Sequence, residues 1–260
     1  MQITHRFVRF AWKGGSYWGE HEGNHVRRWS GAPYEDGQPT DRSCGIHEIE
    51  WLAPVVPSKI IAVGLNYAPH VAESASADAI PEEPVIFLKP PTALIGTEGS
   101  IILPPGVDRV DYEGELGIVI GVGGRFITQA AALNHVWGWT IVNDVTARNL
   151  QKKDKQWTRA KGFDTFCPVG PWVQTEVDIS HAKLTTRLNG EVRQQGSVDQ
   201  MIFPIARLIS FISGVMTLHP GDLISTGTPA GVGPLAEGDN VEVEIEGIGM
   251  LVNHVKSTKP

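Results

Sequence analysis

The sequence predicts a mainly β fold with a few helices (α+β), arranged as one large domain behind a small β-rich N-terminal domain. The 260 residues include 29 glycines and 18 prolines spread along the chain, which favours many short strands joined by tight turns. Hydrophobic residues make up 41% and charged residues 20% of the chain, so a packed core can form and a disordered chain is excluded. Helical periodicity is clearest after Pro204.

The two predicted domains are residues 1–57 and residues 58–260. The first is rich in turns and aromatic residues and ends in the segment 53–57, which contains two prolines. An apolar run starts at Lys59 and continues to Gly64, and it predicts the first strand of the larger domain.

Strands of the larger domain follow from apolar runs and from alternation of apolar and polar residues. The predicted strands are 59–64, 85–89, 115–122, 137–143, 184–188, 191–195 and 241–246. Asn189 and Gly190 lie between two of them and predict a tight hairpin, because both residues tolerate positive φ.

Three segments predict helices. After Pro204, which suits a first helical turn, apolar residues recur at i, i+3, i+4 and i+7. Pro69 likewise predicts the start of a short helix. The segment from Asp144 to Gln151 is predicted to form a helix with Asp144 at or near its N-cap.

Composition excludes several classes of protein. The chain has 22 basic and 29 acidic residues and a formal net charge of −7, so nucleic acid is a poor candidate partner. Cys44 and Cys167 form no C-x-x-C pattern, which excludes a disulfide scaffold and a thiolate zinc site. No secretory signal and no membrane span is predicted. We therefore expect a soluble cytoplasmic protein.

One motif match is misleading. His21 to His25 fits the H-E-x-x-H pattern of zinc proteases, which requires a helix so that both imidazoles share one face. Gly19 and Gly23 disfavour that helix, and the segment is predicted to be a solvated turn. The glycines at 121–124 lack the third glycine of a dinucleotide fingerprint, so a nucleotide cofactor is unsupported.

An acidic segment precedes the apolar run at 116–122. In one strand Asp111, Glu113 and Glu115 would project to the same face. Carboxylates side by side at the start of a buried strand repel one another and are costly to desolvate, and a divalent cation would remove both costs. An exposed strand end with its acids in water is the alternative, and this segment alone favours it.

A second segment, from Asp144 to Gln151, favours the metal site over the exposed strand end. On the predicted helix Asp144, Arg148 and Gln151 fall at i, i+4 and i+7, on one face. Asp144 would be a third metal carboxylate, with Arg148 and Gln151 reaching past it toward an anionic ligand. A capping aspartate paired with the arginine of its own helix is the alternative. All-oxygen ligation would select Mg²⁺, Mn²⁺ or Ca²⁺ rather than zinc.

An acid–base pair is predicted on the short helix after Pro69. There His70 and Glu73 fall at i, i+3, where the carboxylate can orient the imidazole as a general base requires. The Ala/Ser/Asp-rich run at 73–81 indicates a lid that orders over substrate. A purely structural histidine near a helix start is the alternative.

Two further segments are weak on their own. Lys161 precedes a glycine and aromatic residues, where its cation could meet a developing oxyanion, and a surface lysine is the alternative. The segment Ser-Thr-Gly-Thr-Pro at 225–229 offers hydroxyls and backbone N–H groups for a carboxylate, and an ordinary turn is the alternative.

Together these segments resemble the fumarylacetoacetate hydrolase family over roughly residues 58–255. The matching motifs are Gly-Leu-Asn-Tyr-Ala-Pro-His at 64–70, Phe-Leu-Lys-Pro at 87–90, Asp-Tyr-Glu-Gly-Glu-Leu at 111–116, Asn-Asp-Val-Thr-Ala-Arg-Asn-Leu-Gln at 143–151, Ala-Lys-Gly-Phe-Asp at 160–164 and Ser-Thr-Gly-Thr-Pro at 225–229. Their order and wide spacing make the resemblance more specific than any single motif.

The resemblance implies a mixed β-sandwich roll, usually a homodimer, with a site for Mg²⁺ or Mn²⁺ in which Ca²⁺ is a structural substitute. In the family the histidine–glutamate pair activates water or moves protons, and the lysine stabilises enolate charge. The implied residues are Glu113, Glu115 and Asp144 as metal ligands, His70, Glu73 and Lys161 as catalytic residues, and Arg148, Gln151 and Thr228 as substrate contacts.

One departure from the family narrows the implied function. The fumarylacetoacetate hydrolases proper bring a fourth carboxylate from just before the catalytic histidine, and residues 63–69 contain none. This places the chain with the shorter branch of isomerases, decarboxylases and acylpyruvate hydrolases. Its C-terminal third is similar to the isomerase/decarboxylase of homoprotocatechuate breakdown.

The predicted function is that of a metal-dependent isomerase/decarboxylase in aromatic-compound catabolism. It would act on 2-oxo or 2-hydroxy-dienoic dicarboxylates through a metal-stabilised enolate. Acylpyruvate hydrolysis or oxaloacetate decarboxylation is the alternative chemistry, and a non-catalytic metal-binding protein is the alternative class. Isomerisation, decarboxylation and C–C bond hydrolysis all pass through an enolate. The sequence therefore does not decide which of these three reactions the protein would catalyse.

Overall fold

The computed structural model describes residues 4–73 and 79–258. The strands are β1 (Arg6–Trp12), β2 (Gly15–Glu22), β3 (His25–Trp29), β4 (Pro39–Gly45), β5 (Glu50–Leu52), β6 (Ile60–Gly64), β7 (Val85–Lys89), β8 (Leu94–Ile95), β9 (Ser100–Leu103), β10 (Val110–Tyr112), β11 (Gly114–Ile120), β12 (Val136–Asn143), β13 (Thr146–Ala147), β14 (Cys167–Gln174), β15 (Lys183–Leu188), β16 (Glu191–Ser197), β17 (Leu223–Ser225), β18 (Gly233–Pro234), β19 (Asn240–Ile245) and β20 (Gly249–Ser257). The α-helices are α1 (Ala68–Glu73), α2 (Arg148–Asp154), α3 (Thr158–Lys161) and α4 (Ile205–Val215). The predicted mainly β class with few helices is confirmed.

Three sheets carry these strands. The largest has the order β4-β3-β2-β1-β14-β12-β11-β17-β6-β7, with β5 paired to β1 and β8 paired to β14. The others have the orders β13-β10-β18 and β16-β15-β19-β20-β9. Most neighbours are antiparallel, whereas the pairs β6–β17, β8–β14 and β9–β20 are parallel, so the architecture is mixed.

The central strand β11 is buried on both faces. Ile118 and Ile120 pack with Leu208 of α4, and Leu116, on the same face, packs against the five-stranded sheet. Val119 points to the opposite face and lies in a separate apolar cluster. Apolar packing on both sides holds β11 in place, so the acidic residues at its start rest on a rigid support.

Several local predictions are confirmed. Helix α1 begins one residue before Pro69, and Asn189 and Gly190, with φ of 53° and 82°, join β15 to β16. The helix after Pro204 runs to Val215 and buries Leu208, Ile209 and Ile212 of its predicted apolar stripe, while Ile205 is half-buried. The residues of β19 alternate between buried and half-buried, as its sequence pattern predicts.

The H-E-x-x-H segment forms a β-hairpin. His21 lies on β2 and His25 on β3, and the chain turns between them at Gly23, which has a φ of 67°. The two imidazoles are therefore not one helical turn apart, and the zinc-protease pattern has no structural counterpart here. The predicted turn is confirmed.

The predicted single acidic strand is wrong. Strand β10 ends at Tyr112 and β11 begins at Gly114, and the two strands belong to different sheets, so the chain changes sheets at Glu113. The exposed strand end is wrong too, because Asp111, Glu113 and Glu115 are at most 4% exposed. Strand β11 ends two residues before its predicted end at Val122, which is exposed.

The predicted helix from Asp144 is also wrong. Helix α2 begins at Arg148, because Thr146 and Ala147 pair with β10 instead. Val145 and Thr146 are β-branched, and their stiff side chains favour strand over helix. Asp144 and Arg148 therefore do not share a helix face.

The N-terminal strands extend the largest sheet. Arg6 and Phe7 of β1 pair with Gln174 and Val173 of β14. The division into domains at residue 57 stays a prediction, and this pairing joins the two predicted parts by backbone hydrogen bonds.

Candidate active site

Three buried carboxylates meet at one point. Glu113, Glu115 and Asp144 are 4%, 1% and 1% exposed, and each offers an oxygen within 4.8 Å of the others. Strand pairing brings them together, since Gly114 of β11 lies opposite Asn143 of β12. The Asp144 N–H donates to the Glu113 carbonyl at 2.8 Å, which fixes the two acidic residues side by side.

Buried cations neutralise part of this charge. Lys161 Nζ donates to Glu113 Oε2 at 2.9 Å and to Asp144 Oδ2 at 2.5 Å. Lys89 Nζ donates to Asp144 Oδ1 at 2.5 Å. Lys161 is 3% exposed, so the surface-lysine alternative is wrong. Both lysines are paired with carboxylates, as buried charges must be.

Among the described residues, the donors to the third carboxylate, that of Glu115, are neutral. Ser225 Oγ donates to Glu115 Oε2 at 2.5 Å, and the Gly227 N–H donates to the same oxygen at 2.8 Å. Both donors come from the segment 225–229, which the sequence predicts to bind a carboxylate. In the structure that segment holds a carboxylate of the protein itself.

The surroundings drive the pKa values of the two glutamates apart. Burial alone would raise the pKa of Glu113, but the charges of Arg148 and Lys161 hold it well below its usual range. Burial raises the pKa of Glu115 well above its usual range, and the negative charges of Asp144 and Glu113 raise it further. Burial would lower the pKa of Lys161, yet Asp144 and Glu113 raise it. The charged form is thus favoured at Glu113 and disfavoured at Glu115.

This cluster fits a divalent cation. Its donor atoms are carboxylate oxygens alone, the ligands that hard cations such as Mg²⁺ and Ca²⁺ prefer. A cation there would also offset the repulsion that raises the pKa of Glu115. The residues present could therefore hold such an ion.

Arg148 braces the carboxylates from the start of α2. Its Nε donates to Asp111 Oδ2 at 2.8 Å and its Nη1 to Gln151 Oε1 at 3.0 Å, while Nη2 contacts Glu113 Oε1. All three guanidinium nitrogens thus have protein partners. The alternative of an Asp144–Arg148 pair is wrong, because Asp144 is bound by lysines instead.

The two residues of the predicted acid–base pair are in contact on α1, and their catalytic role stays a prediction. His70 Nδ1 lies 3.0 Å from Glu73 Oε1, and His70 is 7% exposed. Residues 74–78 of the predicted lid lie outside the described residues, so the lid stays a prediction.

Most predicted site residues line one cavity. His70, Lys161 and Thr228 are on its wall, and the full lining is Val63, Gly64, Leu65, His70, Glu113, Glu115, Arg148, Gln151, Trp157, Lys161 and Thr228. Asp144 and Glu73 are not among the lining residues. Asp144 accepts a hydrogen bond from Lys161, and Glu73 contacts His70. Thr228 Oγ1 donates to the Gly114 carbonyl at 2.8 Å, which ties the wall to β11.

Comparison with known proteins establishes the family. The model "Fumarylacetoacetate (FAA) hydrolase C-terminal" matches residues 59–256. The chain belongs to the fumarylacetoacetate hydrolase family. A second model, "Rv2993c-like, N-terminal", matches residues 5–54.

Relatives within the fumarylacetoacetate hydrolase family carry several names. Protein Rv2993c of Mycobacterium tuberculosis is 49% identical over 229 residues, 86% of each chain. The mitochondrial oxaloacetate tautomerase FAHD2A of Bos taurus is 44% identical over 221 residues, 80% of this chain and 70% of the relative.

Solved structures give the same result. A 2-hydroxyhepta-2,4-diene-1,7-dioate isomerase from Mycobacterium marinum has 44% identity and a TM-score of 0.89, covering 98% of this chain and 100% of its own. A 5-carboxymethyl-2-hydroxymuconate delta-isomerase from Mycobacterium smegmatis has 45% identity and a TM-score of 0.89, covering 97% of this chain and 100% of its own.

Among the described residues, no helix has the length and apolar character needed to cross a membrane.

Two residues of this site have no function predicted from the sequence. Lys89 lies in the segment Phe-Leu-Lys-Pro at 87–90, and only the structure shows its ammonium group on Asp144. Trp157 lines the cavity and its ring packs against Phe87, with ring centroids 5.2 Å apart. A lysine at the end of an apolar strand is a usable sequence signal for Lys89, because buried lysines require an anionic partner.

Proposed function

We propose that this protein is a divalent-metal-dependent isomerase of 2-oxo or 2-hydroxy-dienoic dicarboxylates that moves a proton between enol and keto forms. The observation that carries the proposal is a single cavity lined by His70, Lys161, Glu113 and Glu115. The names of the relatives support it, since they include two isomerases and an oxaloacetate tautomerase.

We propose Mg²⁺ or Mn²⁺ as the ion, held by Glu113, Glu115 and Asp144. Neither histidine nor cysteine belongs to this buried cluster, and all-carboxylate sites favour these ions over zinc. Bound there, the ion would stabilise negative charge on the oxygen of a substrate enolate.

His70 is proposed to move the proton. A carboxylate only accepts hydrogen bonds, so the contact with Glu73 requires His70 Nδ1 to donate and leaves Nε2 as the basic nitrogen. Lys161 adds positive charge at the cavity wall, where it would favour a developing enolate. Glu73 keeps the imidazole in one tautomer and one orientation.

The remaining polar residues of the wall are proposed to bind substrate carboxylates. Gln151 and Thr228 lie on this wall, and Arg148 brings its positive charge to the same side. Because the guanidinium nitrogens already contact Asp111, Glu113 and Gln151, Arg148 acts mainly through its charge and through the groups it holds.

A thiolate nucleophile has no support. Cys44 and Cys167 are both buried, and burial raises the pKa of Cys167 to about 12. A thiol in that state is not nucleophilic near neutral pH. The proposed mechanism therefore involves no cysteine nucleophile.

A substrate panel on metal-stripped protein tests the proposal. Mg²⁺, Mn²⁺ and Zn²⁺ are restored in turn, and the substrates are enol oxaloacetate, 2-hydroxyhepta-2,4-diene-1,7-dioate and an acylpyruvate with a neutral tail. Loss of enol absorbance is followed together with release of CO₂ and of pyruvate. We expect Mg²⁺ or Mn²⁺ to restore isomerisation of the dicarboxylates, with neither CO₂ nor pyruvate released.

The same panel identifies the second candidate. The His70–Glu73 pair could also activate water, which would favour hydrolysis of acylpyruvates. Cleavage of the acylpyruvate at a rate exceeding isomerisation would replace the proposal by a hydrolase. Release of CO₂ at the rate of enol loss would replace it by a decarboxylase.

A further inference from the structure

The acid–base pair has a third member from a distant loop. The Gly231 N–H lies 3.0 Å from both Oε1 and Oε2 of Glu73, 158 residues away in sequence. Oε1 is also the atom that contacts His70 Nδ1. One backbone amide and one imidazole thus share a single carboxylate.

Only glycine fits this position of the loop. Gly231 has a φ of 100°, and a Cβ there would lie 2.1 Å from the carbonyl oxygen of Arg193 on β16. This distance is shorter than any normal contact, so a side chain would force the loop away from β16. The close approach places the Gly231 amide within reach of Glu73.

The carbonyl group of Gly231 is held by a residue of the acidic segment 111–115. Tyr112 Oη donates to the Gly231 carbonyl at 3.2 Å, and Tyr112 is 2% exposed. Tyr112 directly precedes Glu113, and it pairs with Gly233 through the β10–β18 contact. The loop therefore spans from the carboxylate cluster to the end of α1.

We propose that Gly231 is a positioning residue for the His70–Glu73 pair. Its N–H holds the Glu73 carboxylate in the orientation that accepts the proton of His70 Nδ1, so that Nε2 stays the unprotonated nitrogen. This role rests on the proposed function, in which His70 moves the proton. Without the Gly231 contact, Glu73 at the end of a six-residue helix would rotate away and both imidazole tautomers would be populated.

The first test reads the tautomer in metal-free protein and needs no activity. Long-range ¹H–¹⁵N spectra distinguish the two tautomers, and a His70→Asn variant assigns the signal. We expect the Nδ1–H tautomer of His70 in the wild-type protein and a mixture in Gly231→Ala. The control is Gly238→Ala, which has a similar φ of 90° but open space around a Cβ. An unchanged His70 signal in Gly231→Ala would overturn the proposal.

The second test separates a positioning role from a structural one. We expect Gly231→Ala to lower kcat roughly tenfold, part of the 10²–10⁴ that general acid–base catalysis contributes, with KM nearly unchanged. In a Glu73→Ala background, Gly231→Ala should not lower kcat further, because the carboxylate through which Gly231 acts on His70 is already absent. An equal loss of kcat in both backgrounds would overturn the proposal.

Tyr112→Phe covers the case in which Gly231→Ala fails to fold. It removes the hydroxyl that holds the Gly231 carbonyl and keeps every backbone atom. We expect the same change of tautomer on a smaller scale, and its absence would count against the proposal. The two proposals can fail separately. If Gly231→Ala changes the tautomer of His70 but the wild-type protein turns over none of the panel substrates, the role of Gly231 is supported and the proposed function is rejected. If the wild-type protein turns over these substrates but Gly231→Ala leaves the tautomer unchanged, the proposed function is supported and the role of Gly231 is rejected.

Discussion

Glu113 and Glu115 are two residues apart, yet their carboxylates lie in opposite electrostatic surroundings. Glu113 faces Arg148 and Lys161, whereas Glu115 accepts from the neutral Ser225 and Gly227. The pKa of the first is therefore lowered, and that of the second is raised by burial and by its acidic neighbours. A divalent cation would relieve the charge that these residues leave uncompensated.

Glu115→Gln tests this charge balance. The amide oxygen can still accept from Ser225 and Gly227, while a neutral amide replaces the carboxyl group whose ionisation the fold disfavours. We expect the metal-free variant to melt at a higher temperature than the metal-free wild type. We also expect Mg²⁺ no longer to stabilise the variant, whereas binding at a Mg²⁺ concentration of 100 times Kd would stabilise the wild type by about 2.7 kcal/mol. Melting curves with and without Mg²⁺ measure both effects. The control is Glu237→Gln at an exposed position, and a wild-type response to Mg²⁺ in Glu115→Gln would contradict the metal assignment.

Arg148→Met tests whether this side chain binds substrate or braces the site. Because its nitrogens already contact Asp111, Glu113 and Gln151, we expect kcat/KM to fall by roughly one to two powers of ten for every substrate, given about 1.5–3 kcal/mol for a charged hydrogen bond. Steady-state kinetics on a dicarboxylate and on a neutral-tailed acylpyruvate measure this. A much larger loss for the dicarboxylate would show that the guanidinium contacts the substrate.

At the scale of elements, the site depends on how α1 is attached to its neighbours. Asn66 lies between β6 and α1 and is fully buried. Its Nδ2 donates to the carbonyls of Phe203 and Thr226, and its Oδ1 accepts from the Phe203 N–H. One side chain thus joins the start of α1 to the segment before α4 and to the 225–229 segment.

Asn66→Leu should destabilise the protein. The change keeps the volume but leaves the Phe203 N–H and two carbonyls without this partner, at roughly 1–3 kcal/mol for each buried group. We expect a loss of at least about 2 kcal/mol in the free energy of unfolding, measured by urea denaturation. Asn134→Leu, at an exposed position, serves as the control. An unchanged urea midpoint in Asn66→Leu would show that water replaces these bonds.

At the scale of the whole molecule, the N-terminal strands share one sheet with strands of the larger predicted domain. Strand β1 pairs with β14, and the ring of Phe7 lies 5.1 Å from that of Trp137. The side chain of Arg6 lies over Trp172, 4.7 Å from the ring centroid. These contacts cross the predicted boundary at residue 57. The homodimer and the cytoplasmic location stay predictions.

Shortening the chain to residues 58–260 tests this boundary. The deletion would expose the edge of β14 and the apolar surface of Trp137 and Val173, which Phe7 and its neighbours cover. We expect a lower melting temperature and aggregation, because an open strand edge beside an apolar surface promotes association. Light scattering and thermal denaturation measure both. A monodisperse 58–260 chain with the melting temperature of the full chain would show that the larger domain folds independently.

The order of elements and the chemistry of the site follow largely from local sequence. The hairpin at Asn189 and Gly190 and the helix after Pro204 depend on neighbours no more than seven residues apart, which residue patterns describe well. The family resemblance, rather than local pattern, implies that the carboxylates at 113, 115 and 144 share a metal, and the structure buries them with one oxygen of each within 4.8 Å of the others. The assignment of individual roles to these residues stays a prediction.

Tertiary structure alone decided how these pieces connect. Pairing of Thr146 with Asp111 ended the predicted helix at its start, since a residue bonded in a sheet cannot also begin a helix. The contacts of Lys89 with Asp144 and of Gly231 with Glu73 span 55 and 158 residues, and no local periodicity encodes them. Residue patterns predicted most of the strands, the helix after Pro204 and the chemical groups that are available, but not where β10, β11 and α2 begin and end. Which of those groups meet was decided by strand pairing across the sheets, because long-range contacts depend on the whole packed chain.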